Sequence, residues 1–207
     1  MPHRYAEIAF TPRVKQLQEQ LGSRTAYARM ESLPHDANRR LSETEGGFIA
    51  ARNSLYMATV SETGWPYIQH RGGPAGFVRV LDETTIGFAD FRGNRQYISV
   101  GNLASDDRVS LFFMDYANRT RMKLFGRARI VELDEREILS KLEMPDYRAQ
   151  VERGLLIAVE GFDWNCPQHI AERFSSDEVR TMTASLTSRI AELEAKLLAR
   201  PKSQRTE

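Results

Sequence analysis

Between residues 55 and 159 most apolar positions come in short runs bounded by turn residues, not in the three- and four-residue spacing of helices. Runs at 55–60 and 66–70 flank Ser61-Glu62-Thr63-Gly64, and runs at 77–81 and 86–89 flank Asp82-Glu83-Thr84-Thr85. Runs at 109–114 and 121–133 flank a polar connection at 115–120, the pattern of a hairpin. A run at 155–159 predicts a last strand, followed by an irregular stretch over 161–167. Six or seven strands with few helices between them predict an antiparallel barrel, not a doubly wound sheet.

Helical signals lie mostly at the two ends. Thr11-Pro12 followed by Val14, Leu17, Leu21 and Gly22 predicts a short peripheral helix with proline in its first turn and glycine at its end. Ser42 and Glu45 have capping-box spacing and predict one or two turns ending near Asn53. Shorter helices are expected over 96–103 and 135–142, the second stopped by Pro145. From Ser176 to about residue 200 a helix carries Val179, Thr183, Leu186, Ile190, Leu193 and Leu197 at alternating four- and three-residue intervals, a heptad stripe. That stripe suits either a helix lying on its own barrel or one pairing across a dimer. The tail at 202–207 is expected to fray.

Composition narrows the class. The 41% hydrophobic and 28% charged fractions are those of a globular chain, which excludes disordered and disulfide-scaffold proteins. Lys and Arg total 29 against 28 Asp and Glu, so no global field recruits nucleic acid or an acidic membrane, and any anion site is local. Cys166 is the single cysteine and the N-terminus has no charged segment leading into an apolar signal core, which predicts a reducing, cytoplasmic setting. No apolar run approaches the roughly 20 residues that cross a bilayer. His3, His35, His70 and His169 are dispersed, so no metal is expected.

The chain has no P-loop, no dinucleotide-binding glycine motif, no nucleophile elbow and no zinc-protease motif. Three segments remain where chemistry could sit. Gln69-His70-Arg71-Gly72-Gly73-Pro74-Ala75-Gly76 sets polar groups beside three glycines in a strand position, either a bed for a flat ring or a glycine-rich bulge. Phe88-Ala89-Asp90-Phe91-Arg92-Gly93-Asn94-Arg95-Gln96 leaves a strand and enters a helix with two guanidinium groups at its start, either a phosphate corner or a solvated turn. The stretch from Trp164 to Phe174 carries Trp164, Gln168, His169 and Arg173, either stacking and bonding a planar ligand or contributing an ordinary core or interface aromatic.

Over residues 48–174 the order and spacing of these segments resemble the pyridoxamine 5′-phosphate oxidase-like, FMN-binding split-barrel superfamily. The Q-H-R-G-G-P string at Gln69–Pro74 and the F-A-D-F-R-G-N-R-Q string at Phe88–Gln96 are similar to its branch of predicted flavin-nucleotide-binding proteins. The resemblance implies a mainly β (α+β) fold: a six- to seven-stranded antiparallel Greek-key split barrel with peripheral helices and a C-terminal helix. It implies a division into an N-terminal helical extension (1–45), an FMN-binding barrel (46–175) and a C-terminal amphipathic helix with tail (176–207).

The implied cofactor is FMN, shared between the subunits of a homodimer, with a small-molecule substrate and neither nucleic acid nor membrane as partner. The implied phosphate ligands are Asn94, Arg95 and Gln96, with Arg71 or Arg92 adding charge. Gln69, His70, Arg71, Gly72, Ala89 and Asp90 would bed the flavin, and Arg121, Trp164 and Gln168 would reach it, Arg121 and Trp164 from the other subunit. His70 and His169 are the candidate proton donors. The oxidase's R-x-V-L-L-K strand does not survive, since Gln69 falls near its arginine and Pro74 near its lysine. The segment holding the vitamin B6 phosphate in the oxidase reads His169-Ile170-Ala171-Glu172-Arg173-Phe174, with a histidine for an arginine and an alanine for a histidine. An FMN-dependent oxidoreductase of changed substrate is the implied activity. The alternatives are a non-catalytic module holding flavin, haem or deazaflavin, or serving as a redox sensor, and, more weakly, a true pyridoxamine phosphate oxidase.

Overall fold

The computed structural model describes residues 3–32, 38–164 and 168–199. Expectations for His35, Cys166, residues 165–167 and the 202–207 tail lie outside the described residues. Within them run the strands β1 (Ser54–Val60), β2 (Pro66–Gly72), β3 (Arg79–Asp82), β4 (Thr85–Phe91), β5 (Arg108–Asp115), β6 (Thr120–Val131) and β7 (Val151–Trp164). They form one antiparallel sheet in the order β2-β1-β5-β6-β7-β4-β3. Among β4 to β7 the first strand lies beside the last, which makes this part a Greek key.

Inward side chains from β1, β4, β5, β6 and β7 meet in a single apolar core, among them Met57, Phe88, Leu111, Leu124 and Ile157. A sheet whose strands all face one core must curl around it, and its two edges, β2 and β3, are not hydrogen-bonded to each other. The architecture is a split barrel. The segment between those edges helps to plug it: Phe77 and Val78, expected in a strand, lie in the connection and are buried in the core.

Helices pack around this barrel. α1 (Arg4–Ala9) lies against β7, with Tyr5 stacked on Phe125 at 5.1 Å and the Arg4 guanidinium 2.7 Å from Glu160. α2 (Pro12–Gln20) starts on a Thr11 cap with proline in its first turn, and Gly22 follows it at φ 78°, as its sequence predicts. α3 (Arg24–Glu31) buries no residue and was not foreseen, because it has no apolar face to announce it. α4 (Glu43–Ala50) is closed by the expected capping box of Ser42 and Glu45. α5 (Ile98–Ser105) and α6 (Arg136–Leu142) cover the barrel, α6 burying Leu139 and Leu142 in a second small core.

β7 differs from its expected extent at both ends. It starts at Val151, and the stretch 161–164, expected to be irregular, continues the strand, pairing Gly161 with Phe125 and Trp164 with Met122. Gly161, which read as a loop residue, is there for close packing, and Asp163 pairs across the ladder with Lys123 at 3.3 Å. A Cβ on Gly161 would come within 2.9 Å of the Tyr5 backbone, and a register shift between Phe125 and Gly126 absorbs an extra residue on β7.

α7 (Ser176–Leu198) starts on a capping box of Ser175 and Glu178 and buries none of its residues. Of its two sequence-level placements, the one on its own barrel is not adopted.

Candidate functional site

The split between the barrel's edges is bridged by charge. Asp90 stands at the end of β4 and Arg71 near the end of β2, strands that are not neighbours in the sheet, yet Arg71 Nη1 lies 2.5 Å from Asp90 Oδ1. Both side chains are largely withdrawn from water, at 13% and 11% exposure. Burial pushes the Asp90 carboxyl above the usual carboxylate range, the charges of Arg71 and Arg153 pull it back, and nearby Glu152 pushes it up again. The Nε of Arg71 is buried without a hydrogen-bond acceptor, so its guanidinium retains a donor for a ligand.

After β4 the chain turns through Arg92, Gly93, Asn94, Arg95 and Gln96 into α5. Arg95 (φ 58°) and Tyr97 (φ 54°) both adopt the left-handed conformation, unusual for residues other than glycine. A bond from Arg95 Nε to the Tyr97 hydroxyl (2.9 Å) and the Arg153 guanidinium lying 5.0 Å over the Tyr97 ring hold the turn in that shape. Tyr97 is the N-cap of α5 and gives no side-chain cap, so the first N–H groups of the helix have no side-chain acceptor. Ser99 in the first turn is buried and donates to Gln69 Oε1 (3.1 Å), fixing the β2 amide against the helix.

These groups enclose a cavity of about 220 Å³, lined by Gln69, Arg71, Asp90, Asn94, Arg95 and Ser99 among others. A second cavity of about 170 Å³ shares Gln69, Arg71 and Asp90 with it and adds His70, Gly72 and Ala89. Gly72 lines this second cavity with little more than backbone, where an added Cβ would meet His70 at 3.1 Å, and the next residue, Gly73, lets the chain pass close over Phe77, which a Cβ there would meet at 2.8 Å. Together the cavities offer a cationic corner at a helix start and, beside it, a strand surface with little side chain. Such a site can hold an anionic group attached to a flat one.

Eight of the residues singled out from the sequence therefore gather here: Gln69, His70, Arg71, Gly72, Ala89, Asp90, Asn94 and Arg95. Gln96 is exposed at the rim, its side-chain oxygen 3.4 Å from the Asn94 amide nitrogen. Arg121 and His169 line a separate cavity of about 350 Å³ with Tyr56, Ile68 and Phe112. Arg121 lies 6.0 Å over the Phe112 ring, and its buried Nε lacks an acceptor. Gln168 is exposed in the turn before His169.

Trp164 is engaged within its own chain. Its indole N–H donates to Glu45 Oε1 (2.9 Å), and Phe48 meets its ring edge-on at 4.7 Å. Burial pushes the Glu45 carboxyl up, but bonds from Ser42 and Trp164 outweigh it and hold the group below its usual range.

Three wall residues escaped the sequence reading, Tyr97, Ser99 and Glu152, and so did Arg153 behind them. Glu152 pairs with Arg153 at 3.3 Å and approaches Arg92 at 3.8 Å. Glu152 and Arg153 precede the apolar run of the last strand by three and two positions, outside the strand expected over 155–159.

Compared with known proteins, a family model described as Pyridoxamine 5′-phosphate oxidase matches residues 41–161. No curated protein matches the chain. Among solved structures, it is similar to an FMN-binding protein from Syntrophomonas wolfei subsp. wolfei, with 14% identity, covering 72% of this chain and 97% of that one at a TM-score of 0.47. It is also similar to HupZ of Group A Streptococcus, with 17% identity over 65% of this chain and 100% of that one at a TM-score of 0.46. A Clostridium acetobutylicum protein related to general stress protein 26, of the pyridoxinephosphate oxidase family, has 17% identity over 66% of this chain and 94% of that one at a TM-score of 0.43.

Proposed function

Because this chain belongs to the pyridoxamine 5′-phosphate oxidase family, we propose that it is an FMN-binding flavoprotein, an FMN-dependent oxidoreductase acting on a small molecule other than pyridoxamine 5′-phosphate. The observation that carries this reading is the cavity at the start of α5, where the buried Arg71 has an Nε–H without an acceptor beside a helix end without a side-chain cap.

The residues present fit the group. Arg95, Asn94 and the first N–H groups of α5, a helix end that favours negative charge, would hold the FMN phosphate. Arg71, neutralised on one side by Asp90, would offer its remaining Nε–H donor to the group. Gln69, oriented by Ser99, and the backbone of Arg71 to Gly73 bed the ring. Flavin, when bound, supplies the redox chemistry, and the protein's work is to anchor, orient and shield it. In this reading residues 46–175 form the flavin-binding unit, the active form is a homodimer, and the setting is cytoplasmic. Arg121 and its apolar surroundings then belong to the subunit contact.

A second reading, a flavin-binding module without turnover, is favoured by one specific observation. The two carboxylates lining the larger cavity, Asp90 and Glu152, are each paired with arginine, which leaves neither free to move a proton. His70, which packs edge-on against Tyr56 at 5.6 Å, and His169 are the remaining proton donors.

The test is the visible spectrum of the purified full chain, with mass identification of the chromophore released by acid. The expected result is FMN, bound stoichiometrically after reconstitution. A protein that fails to bind FMN, or that binds riboflavin equally well, overturns the assignment of the phosphate corner. Turnover of reduced pyridine nucleotide with an electron acceptor then separates the enzyme from the silent module.

A further inference from the structure

α7 is a 23-residue helix with no buried residue, although its sequence carries an apolar stripe along its length. Val179, Leu186, Ile190 and Leu193 are between 44% and 64% exposed, far more than apolar side chains on one continuous helix face retain in a finished structure. The geometry points to a parallel two-stranded coiled coil formed by α7 with the same helix of a second copy of this chain.

The residue types select that partner and that orientation. Val179, Leu186 and Leu193 fall at the d positions of a heptad and Thr183 and Ile190 at the a positions, and leucine at d with β-branched residues at a favours parallel dimers. Thr183 does not break the seam, because its hydroxyl bonds back to the Val179 carbonyl (2.8 Å) and leaves its methyl for the interface.

Charge points the same way. A parallel pair sets Arg189, at g, against Glu194, at e of the next heptad in the partner, twice by symmetry. Glu194 has no ion-pair partner among the described residues, and Arg189 bonds only the exposed Glu192 one turn away, a contact easily exchanged. A fully overlapped antiparallel pair would place Arg189 against its own copy and bury Thr183 against Leu193.

Orientation also decides where the barrels lie. A helix of 23 residues is about 34 Å long, so an antiparallel pair holds the barrels at opposite ends, whereas a parallel pair brings them side by side. Three heptads are short for an independent coil, but two barrels in contact raise the effective concentration of the attached helices, and the helices do the same for the barrels. This inference does not depend on the flavin assignment.

The mass of the particle alone does not test it, since barrels can associate without α7, so the experiment reads the helix contact directly. In the full chain carrying Cys166→Ser, the single change Leu186→Cys is expected to give a disulfide-linked dimer on mild oxidation, because position 186 faces its own copy only in the parallel register. Adding Glu194→Arg is expected to slow that cross-linking about fivefold, and Arg189→Glu together with it to restore the rate. Absence of the Leu186→Cys dimer overturns the proposal, as does cross-linking that needs one Leu186→Cys and one Ile190→Cys chain, the antiparallel result. Rescue of Glu194→Arg by Arg180→Glu instead of Arg189→Glu overturns it too. Flavin binding, followed in the same samples, reports separately whether the barrel is intact.

Discussion

Replacing Arg71 by methionine tests the central electrostatic claim, that one ion pair closes the seam of the barrel. Methionine keeps most of the side-chain length and removes the charge, leaving Asp90 at 11% exposure without its nearest partner. Breaking a buried pair from one side costs about 3 to 5 kcal/mol in general. The lower end, about 3 kcal/mol, is expected here, because Arg153 also acts on Asp90 and the pair borders an open cavity. The cost should depend on pH. Asp90 already has a raised pKa in the folded protein, and without Arg71 burial raises it further. A carboxyl with a raised folded pKa favours the native state while protonated, and that contribution is lost as pH rises through the folded value. Urea unfolding at pH 5 and pH 8 should therefore show the variant closer to the parent at the lower pH. Adding Asp90→Asn, which removes the orphaned charge, should recover more than half of the loss at pH 8. A deficit that is the same at both pH values, or a double variant no better than Arg71→Met, would refute the reasoning and place the cost in lost packing.

Three further outcomes are expected. Arg95→Ala should weaken FMN about tenfold, the low end of a charge-assisted bond because Arg95 is exposed, and leave riboflavin nearly unaffected, as titration calorimetry with both ligands would show. Gly126→Ala should destabilise the fold by about 2 kcal/mol or more in chemical denaturation, since the new Cβ would lie 2.6 Å from Ile157 and 2.8 Å from the Ala158 carbonyl oxygen at the register shift. The FMN-loaded protein should form no useful amount of pyridoxal phosphate or peroxide from pyridoxamine 5′-phosphate. His169 and Ala171 border the separate 350 Å³ cavity with only Arg173 and Arg121 as fixed charges there, and an imidazole does not replace the planar two-donor fork of an arginine on a phosphate. Saturable turnover in a peroxide-coupled assay would overturn the claim of a changed substrate.

What was legible in the sequence is what short-range physics decides. The cap of α4 by Ser42 and Glu45, the proline start of α2, the β1–β2 and β5–β6 hairpins and the heptads of α7 all depend on residues within a few positions of one another. The two functional strings were legible for a related reason: polar groups and glycines where apolar residues belong stand out without any knowledge of their neighbours in space. Tertiary structure alone decided what those strings meet. Arg71 reaches Asp90 across a seam between strands that share no hydrogen bonds, and Ser99 holds Gln69 from a helix 30 residues away. Trp164, whose type suggested a ligand contact, finds Glu45 at a separation of 119 residues. Local pattern cannot choose among such partners, because a charge or an indole N–H is satisfied equally well by any complementary group that chain closure brings within about 3 Å. Closure of the barrel made that choice, and it left α7 outside, its apolar stripe awaiting another helix of the same kind.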